Sequence, residues 1–529
     1  MLLVIILCAI VILSAIFSNR FLNALGIPAL LFFMCLGMVF GSDGILKIDF
    51  EDFATTKELC SIALGFIIFY GGFCTKWKTA KPVIVKASIL STVGVLLTAL
   101  GVCVFLHYFL HLNFLESFLI GATISSTDAA SVFSLLRAKN LNLKDNTAPL
   151  LEIESGSNDP MSYILVILAI TLLQGQSINF VFILFLKQII FGILIGVLIA
   201  KSAILIFQKT KLVTQGYDTL FIIALVLSAY GISELCNGNP FLAVYFLGII
   251  CGNSNIPNKI TMLNFFDGIT KLAQIGIFFI LGLLAFPREI PYILETGIYI
   301  FLFLTFVARP LVIFLLLSPF KINFSQAILV SWAGLRGVAS IVFAIIAINS
   351  NITLNYDLFH LVFLISILSV ALQGSFLPLV SKKTNMLDEF SDIRKTFNDY
   401  QEECAIKLLK INIPAGHDWI NKEIKDISFP QNALALVITR NNEKIIPKGS
   451  TILKENDEIT ISLPMLYEDD GIELKELVLN SEHSWCNKKI KDLNLKNNEI
   501  IILIKREREH ILPKGDTMLL EGDVLVLYN

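Results

Sequence analysis

The feature that most constrains this chain is a succession of apolar runs, each of membrane-crossing length, that continues to residue 380. About 20 apolar residues in helical form cross the hydrocarbon of a bilayer. Runs near 1–18, 27–42, 58–74, 82–110, 114–137, 147–174, 178–208, 216–236, 239–252, 263–286, 290–318, 325–349 and 356–380 therefore read as about 13 transmembrane helices. Composition agrees: of 529 residues 55% are hydrophobic and 16% charged, with 41 Phe and a mean hydropathy of +0.74. Such values belong to a polytopic membrane protein whose partner is the lipid bilayer, not to a soluble enzyme. With a formal net charge of -2 and no basic domain, nothing points to nucleic acid.

The loops carry the orientation. Arg20, Lys76, Lys78, Lys81, Arg137, Lys139, Lys144, Lys209, Lys211, Lys259, Lys321, Lys382 and Lys383 fall on one side of these spans, and Lys47, Lys57 and Arg288 on the other. The positive-inside rule makes the first side cytoplasmic, with the N-terminus outside and the C-terminal region in the cytosol. The first run lacks a basic n-region and a small-residue cleavage site, so it reads as a retained span rather than a signal peptide. The 9 Cys are scattered without metal-like spacing and read as small buried hydrophobes.

One apolar stretch holds a polar cluster. In LLEIESGSNDPMSYIL, residues 150–165, Glu152, Glu154, Asn158 and Asp159 sit inside a predicted span. Ionisable groups in hydrocarbon are costly enough that such a cluster reads as a transport or relay site. Helical spacing puts Ser155 with Asp159 on one face and Glu154 with Asn158 on the next. Pro160 lacks an N–H, which deprives the Gly156 carbonyl of its helical donor and leaves an oxygen beside a carboxylate. The competing reading is a helix entrance at the membrane surface, with Asn158-Asp159-Pro160 as a turn.

Two more spans are interrupted. GATISSTDAASVF places Thr123, Ser125, Ser126, Thr127 and Asp128 in mid-span, where their side chains compete for backbone hydrogen bonds. SWAGLRGVAS brackets Arg336 with Gly334 and Gly337. One interruption in each half points to inverted repeats with two broken crossing helices, whose exposed half-helix ends Asp128 and Arg336 are placed to offset.

After residue 380 the composition changes. Residues 381–403 read as a charged linker, and an internal repeat follows. HDWINKEIKDI at 417–427 recurs as HSWCNKKIKDL at 483–493, and IIPKGSTILKENDEI at 445–459 recurs as ILPKGDTMLLEGDVL at 511–525, in one register about 66 residues apart. The expected fold class is thus an all-α polytopic membrane domain, residues 1–380, plus a cytoplasmic α+β tail of two tandem repeats, 404–465 and 466–529. Each repeat is expected to hold a short helix after its Trp, a strand (433–440 and 499–506) and further strands around the PKG and acidic turns.

Taken in order, STDAASVF, LEIESGSNDPMS, GNPFLAVYFLGIICGN, FVARPLVIF and SWAGLRGVAS give the membrane region a likeness. It resembles the monovalent cation:proton antiporter family, in its NhaP-like potassium/proton branch. The tail units resemble the TrkA-C-type module of potassium-transport regulators, here doubled. The resemblance implies that Asn158-Asp159 is the family's Asn-Asp pair, with Asp159 binding cation or protons, Thr127 and Asp128 the centre of the unwound helix, and Ser155 a further oxygen ligand. It implies an ion pair between Glu154 and Arg336. Arg309 is either a snorkelling residue near a helix end or a group that tunes Asp159. The sequence departs from the family at Tyr70, where many relatives carry an acidic residue, which leaves selectivity open. The resemblance further implies a homodimer, a bacterial inner-membrane location and a nucleotide-type ligand on the tail. No resident cofactor or metal is expected beyond the transported alkali cation.

The mechanism expected is exchange by competition. A carboxylate in a partly desolvated pocket can hold either protons or a monovalent cation near neutral pH. Asn158 adds no second titrating group, so one charge exchanges for one, with potassium favoured over sodium. A gated potassium channel is the first rival, but it needs a carbonyl filter such as TVGYG, which the sequence lacks. A membrane hydrolase is the second, and ESGSN is not G-x-S-x-G.

Overall fold

A backbone in hydrocarbon must satisfy its N–H and C=O groups internally, and the apolar runs do so as helices. The computed structural model describes residues 7, 9–17, 29–128, 131–132, 143–209, 217–254, 256, 258–387, 406–427, 429, 433–440, 443–464, 474–479, 483, 485–486, 488–493, 500–506, 509–511, 513 and 515–528. It divides into two compact units, Met1–Ser391 and Asp392–Asn529. Of the expected features, much of the first span, Arg20, Arg137, Lys139, Lys211 and most of the linker lie outside the described residues.

After helical residues 9–17, the first unit runs through α1 (Ala29–Phe40), α2 (Phe53–Cys74), α3 (Ile84–Phe109), α4 (Phe114–Thr123), α5 (Thr147–Leu173), α6 (Ile178–Lys209) and α7 (Tyr217–Leu235). It continues through α8 (Pro240–Gly252), α9 (Lys259–Leu284), α10 (Pro287–Phe320), α11 (Phe324–Trp332), α12 (Val338–Ile348) and α13 (Leu358–Lys383). Among the described residues 8 helices are long and apolar enough to cross a membrane, and α4, α8, α12 and residues 30–40 of α1 are shorter apolar helices. This is a multi-pass membrane protein.

Local chemistry sets several starts. Asp52 accepts from Thr55 N at 2.9 Å before α2, and Asn239 accepts from Leu242 N at 3.0 Å before α8, whose first residue is Pro240. On α6, Ile183, Leu186, Ile190, Leu194 and Leu198 face outward at spacings of three and four, an apolar stripe suited to lipid. Inside, helices approach through small residues: a Cβ on Gly72 of α2 would stand 2.6 Å from the Tyr245 carbonyl oxygen of α8. Among the described residues, π-helical turns at Leu90–Gly94 in α3, Leu304–Ala308 in α10 and Ser369–Gly374 in α13 shift the register of the helices that carry them.

The second unit holds two four-stranded antiparallel sheets. The first, from β1 (Ile406–Asn412), β2 (Leu434–Arg440), β3 (Glu443–Ile445) and β4 (Glu458–Pro464), has the order β1-β4-β2-β3. The second, from β5 (Leu474–Val478), β6 (Ile500–Arg506), β7 (Glu509–Ile511) and β8 (Val524–Tyr528), has the order β5-β8-β6-β7. Bulges fall at the same place, between Ala435 and Val437 and between Ile501 and Leu503. The repeat also reproduces an ion pair: Arg440 Nε and Nη2 donate to Asp457 at 2.8 and 2.7 Å, and Arg506 donates to Asp523 at 2.7 and 2.8 Å.

Here the expected helix after each Trp is corrected. The segments form single 3₁₀ turns, Ile424–Asp426 and Ile490–Asp492, so among the described residues the tail is sheet without α-helix. The stretch is too short to repay helix nucleation, and Asn421, at φ 61°, leaves the helical region within it. The leading strands β1 and β5 were not anticipated from sequence.

Candidate functional site

Hydroxyl, amide and acidic side chains in mid-span offer the backbone partners other than the next helical turn. Accordingly α4 ends at Thr123 and residues 124–128 are not helical, while 333–337 are not helical between α11 and α12. The two segments meet where Asp128 N donates to Leu335 O at 2.8 Å.

The carbonyls released at the first interruption find partners on other elements. Arg336 Nη1 donates to the carbonyl oxygens of Ser125 and Ser126, both at 2.7 Å. From α5, Ser155 Oγ donates to Thr127 O at 2.5 Å and Ser162 Oγ to Ala122 O at 2.6 Å. At the second interruption Arg336 N donates to Ser369 Oγ at 2.9 Å, and Ser369 Oγ donates to Gln373 Oε1 at 2.5 Å, both acceptors lying in the π turn of α13. Unwound backbone is thus held inside the protein, the condition under which it persists at membrane depth.

The cluster at 150–165 lies on one continuous helix, α5, with Pro160 inside it, so the reading of a surface turn is set aside. Asn158 is buried, and its Nδ2 donates to Thr127 Oγ1 at 2.5 Å, while its Oδ1 has no hydrogen-bond partner among the described residues. Asp159 is half-buried and accepts a hydrogen bond from Ser126 Oγ. Asp128 accepts from Ser131 Oγ at 2.5 Å. A Cβ on Gly337 would overlap the Asp128 carboxylate, so only glycine leaves room for the crossing.

Asp159, Ser155, Thr127 and Asp128 all line one cavity of ≈ 260 Å³. Asn158 stands behind the wall and braces Thr127. Asp159 and Asp128 thus bring carboxylates and Ser155 and Thr127 hydroxyls to the wall beside the end of an interrupted helix, an oxygen-rich surface of the kind that replaces the hydration of a hard cation.

Two expectations need correction. Glu154 pairs with Arg309, not with Arg336: Arg309 Nη2 lies 2.5 Å from Glu154 Oε1, with both side chains buried. Arg336 instead satisfies the carbonyls of residues 125 and 126. Two buried guanidiniums compete for one carboxylate, and spacing along the chain cannot rank them; the missing side chain of Gly334, where a Cβ would sit 2.8 Å from Arg309 Nε, admits Arg309. Arg309 follows the π turn of α10 and is 3% exposed, so it does not snorkel, and its guanidinium is given to Glu154. Tyr70, the departure from the family pattern, lines the cavity and donates through Oη to Asp267 Oδ1 at 3.3 Å.

Asp267 was missed by sequence reasoning, as were Lys271 and Thr270, whereas Ser126 was read only as part of the interruption and not as a partner of Asp159. Asp267 and Lys271 sit four residues apart in an apolar stretch, and intramembrane charge was the available signal.

Comparison with known proteins agrees with this architecture. Residues 8–383 match the family described as sodium/hydrogen exchanger, transmembrane, and residues 408–464 and 474–528 match the TrkA-C domain. The chain is 30% identical over 448 residues to the K(+)/H(+) antiporter NhaP of Alkalimonas amylolytica, covering 84% of this chain and 78% of that one. It is 24% identical over 395 residues to the Na(+)/H(+) antiporter ApNhaP of Aphanothece halophytica, covering 70% and 72%. Among solved structures it is similar in fold to the sodium proton antiporter MjNhaP1 from Methanocaldococcus jannaschii, at a TM-score of 0.63 and 22% identity over 71% of this chain and 99% of that one. The oxygen-lined crossing of interrupted helices and the matched residues lead to one conclusion: the chain belongs to the sodium/hydrogen exchanger family, its transmembrane region followed by two TrkA-C domains.

Proposed function

We propose that this protein is a secondary active antiporter that exchanges a monovalent cation, potassium favoured, for protons, one charge for one, across the bacterial inner membrane. The observation that carries the reading is Asp159, half-buried on the wall of a cavity where two interrupted helices cross. A bare carboxylate is expensive to move through apolar surroundings, and either a proton or an alkali cation neutralises it. Asp159 therefore takes one or the other, with Ser155, Thr127 and Asp128 supplying oxygens to the cation and Asn158 and Ser126 holding the wall in shape. Asn158 titrates no second proton, which favours neutral exchange. Potassium is supported by the relatives at 30% identity, which are named K(+)/H(+) antiporters; sodium, named for the more distant relative, is the second reading.

The same proposal assigns 13 spans arranged as inverted repeats, with residues 124–128 and 333–337 as equivalent breaks, an outside N-terminus and a cytoplasmic tail. Residues 1–380 form the transport domain, 381–403 the linker, and 404–465 and 466–529 the two tail modules. A homodimer and a nucleotide-type ligand on the tail complete it.

The test is proton flux in proteoliposomes of the full chain on addition of potassium, sodium, rubidium or lithium, with the membrane potential clamped and unclamped. Potassium-driven flux indifferent to potential, and lost in Asp159→Asn, is the expected result. Cation flux without protons overturns it in favour of a channel.

A further inference from the structure

The cavity that reaches Asp159 has a second group of oxygen atoms on another helix. Asp267, Thr270 and Lys271 lie within little more than one turn of α9, on adjoining positions of one face, and all three line the wall together with Tyr70 of α2. Both oxygens of Asp267 are engaged: Oδ1 accepts from Tyr70 Oη at 3.3 Å, and Oδ2 lies 2.5 Å from Lys271 Nζ. Thr270 is 7% exposed, yet its Oγ1 has no hydrogen-bond partner among the described residues. A buried hydroxyl on a cavity wall without a partner is an atom prepared for something not bound, because leaving it unsatisfied has a cost.

We propose that Asp267, Thr270 and Tyr70 form a second alkali-cation subsite, and that Lys271 occupies its carboxylate as a tethered competitor. The donor set is a carboxylate, a hydroxyl and a phenol oxygen, hard ligands that suit a partly hydrated monovalent cation. Lys271 carries the same single positive charge on a flexible stem and is 68% exposed, against 37% for Asp267. An exposed pair of this kind is weakened by water and salt, so a cation at working concentration displaces the ammonium. The displaced cation site lies on the wall that Asp159 shares, and it concentrates cations beside the exchange carboxylate. The carboxylate that the chain lacks at Tyr70 is thereby supplied from α9, with the phenol turned to hold it.

This inference rests on the antiport reading above, and the experiment separates the two. Proton flux in proteoliposomes of the full chain is titrated with potassium, and with sodium in parallel, for the unaltered protein and for Asp267→Asn, Asp267→Glu, Thr270→Val and Lys271→Met. Asp267→Asn raises the half-saturating cation concentration by about tenfold, the size expected for one charged contact, with a smaller loss of maximal rate. Asp267→Glu restores most of it, Thr270→Val raises it less, and Lys271→Met lowers it. Half-saturation unchanged in both Asp267→Asn and Thr270→Val overturns the subsite. So does a uniform loss of rate in Asp267→Asn that Asp267→Glu does not repair, which marks a structural role. Absence of cation-driven flux in the unaltered protein is a different outcome and overturns the antiport reading itself.

Discussion

Arg309 and Glu154, 155 positions apart, form a buried ion pair with Nη2 and Oε1 at 2.5 Å. Removing one partner leaves the other as an uncompensated charge away from water, which costs about 3–5 kcal/mol. Glu154→Gln and Arg309→Gln are each expected to lower the melting temperature of the detergent-solubilised protein, and the double variant to recover part of the loss. A double variant no better than the sum of the two singles would show that the charges are not coupled.

Gly337 is expected to be intolerant of any side chain. A methyl there displaces the Asp128 carboxylate, and small misplacements at a binding centre reduce rates by up to about 100-fold. Gly337→Ala should retain a folded profile on size-exclusion chromatography and lose most cation-driven proton flux. Normal flux in that variant would remove Asp128 from the transport site.

Cys74 lines the cavity at the end of α2 that leads to Lys76. In a chain whose other cysteines are replaced, a membrane-impermeant maleimide should label Cys74 from the face bearing Lys76 and Lys81, and not from the opposite face. Labelling from the face of Arg288 alone would show that the cavity opens to the other side of the membrane.

The tail carries a pH dependence of definite sign. Burial by itself pushes the Asp457 carboxyl up, and the hydrogen bonds from Arg440 and the Lys454 N–H outweigh it, so the group is held below the usual carboxylate range. Asp523 is held low in the same way by Arg506 and the Leu520 N–H. A lowered folded value means that the stabilisation is complete above the unfolded value of about 4 and is lost as pH falls through the folded one. Protection of the tail amides in the full-length protein, taken relative to their intrinsic exchange rate at each pH, should therefore fall as the pH drops below about 4, and less steeply in Asp457→Asn, which starts from lower protection. A tail equally protected in Asp457→Asn and in the unaltered chain at neutral pH would show that the pair contributes nothing.

How much of this was legible beforehand follows from which interactions are local. The helical runs, the polar interruption at residues 123–128, the Gly-flanked Arg336 and the 66-residue repeat are properties of neighbouring residues or of fixed spacing, and each could be read along the chain. The pairing of Glu154 was not. Both Arg309 and Arg336 are buried cations in apolar stretches, and only the packing of α10 beside Gly334 gives the carboxylate to Arg309. Asp267 was open to the same argument from intramembrane charge as Asp159, but its relation to Tyr70, 197 positions away, belongs to the approach of α9 and α2.

By itself, then, the sequence determined the medium and the chemistry: apolar segments that must be helical in lipid, carboxylates and hydroxyls placed where hydrocarbon penalises them, and a duplicated tail. Only the tertiary structure decided which of those groups meet. Helical periodicity specifies the face on which a side chain lies and not the neighbour it faces, and a π turn or a single glycine is enough to change that neighbour.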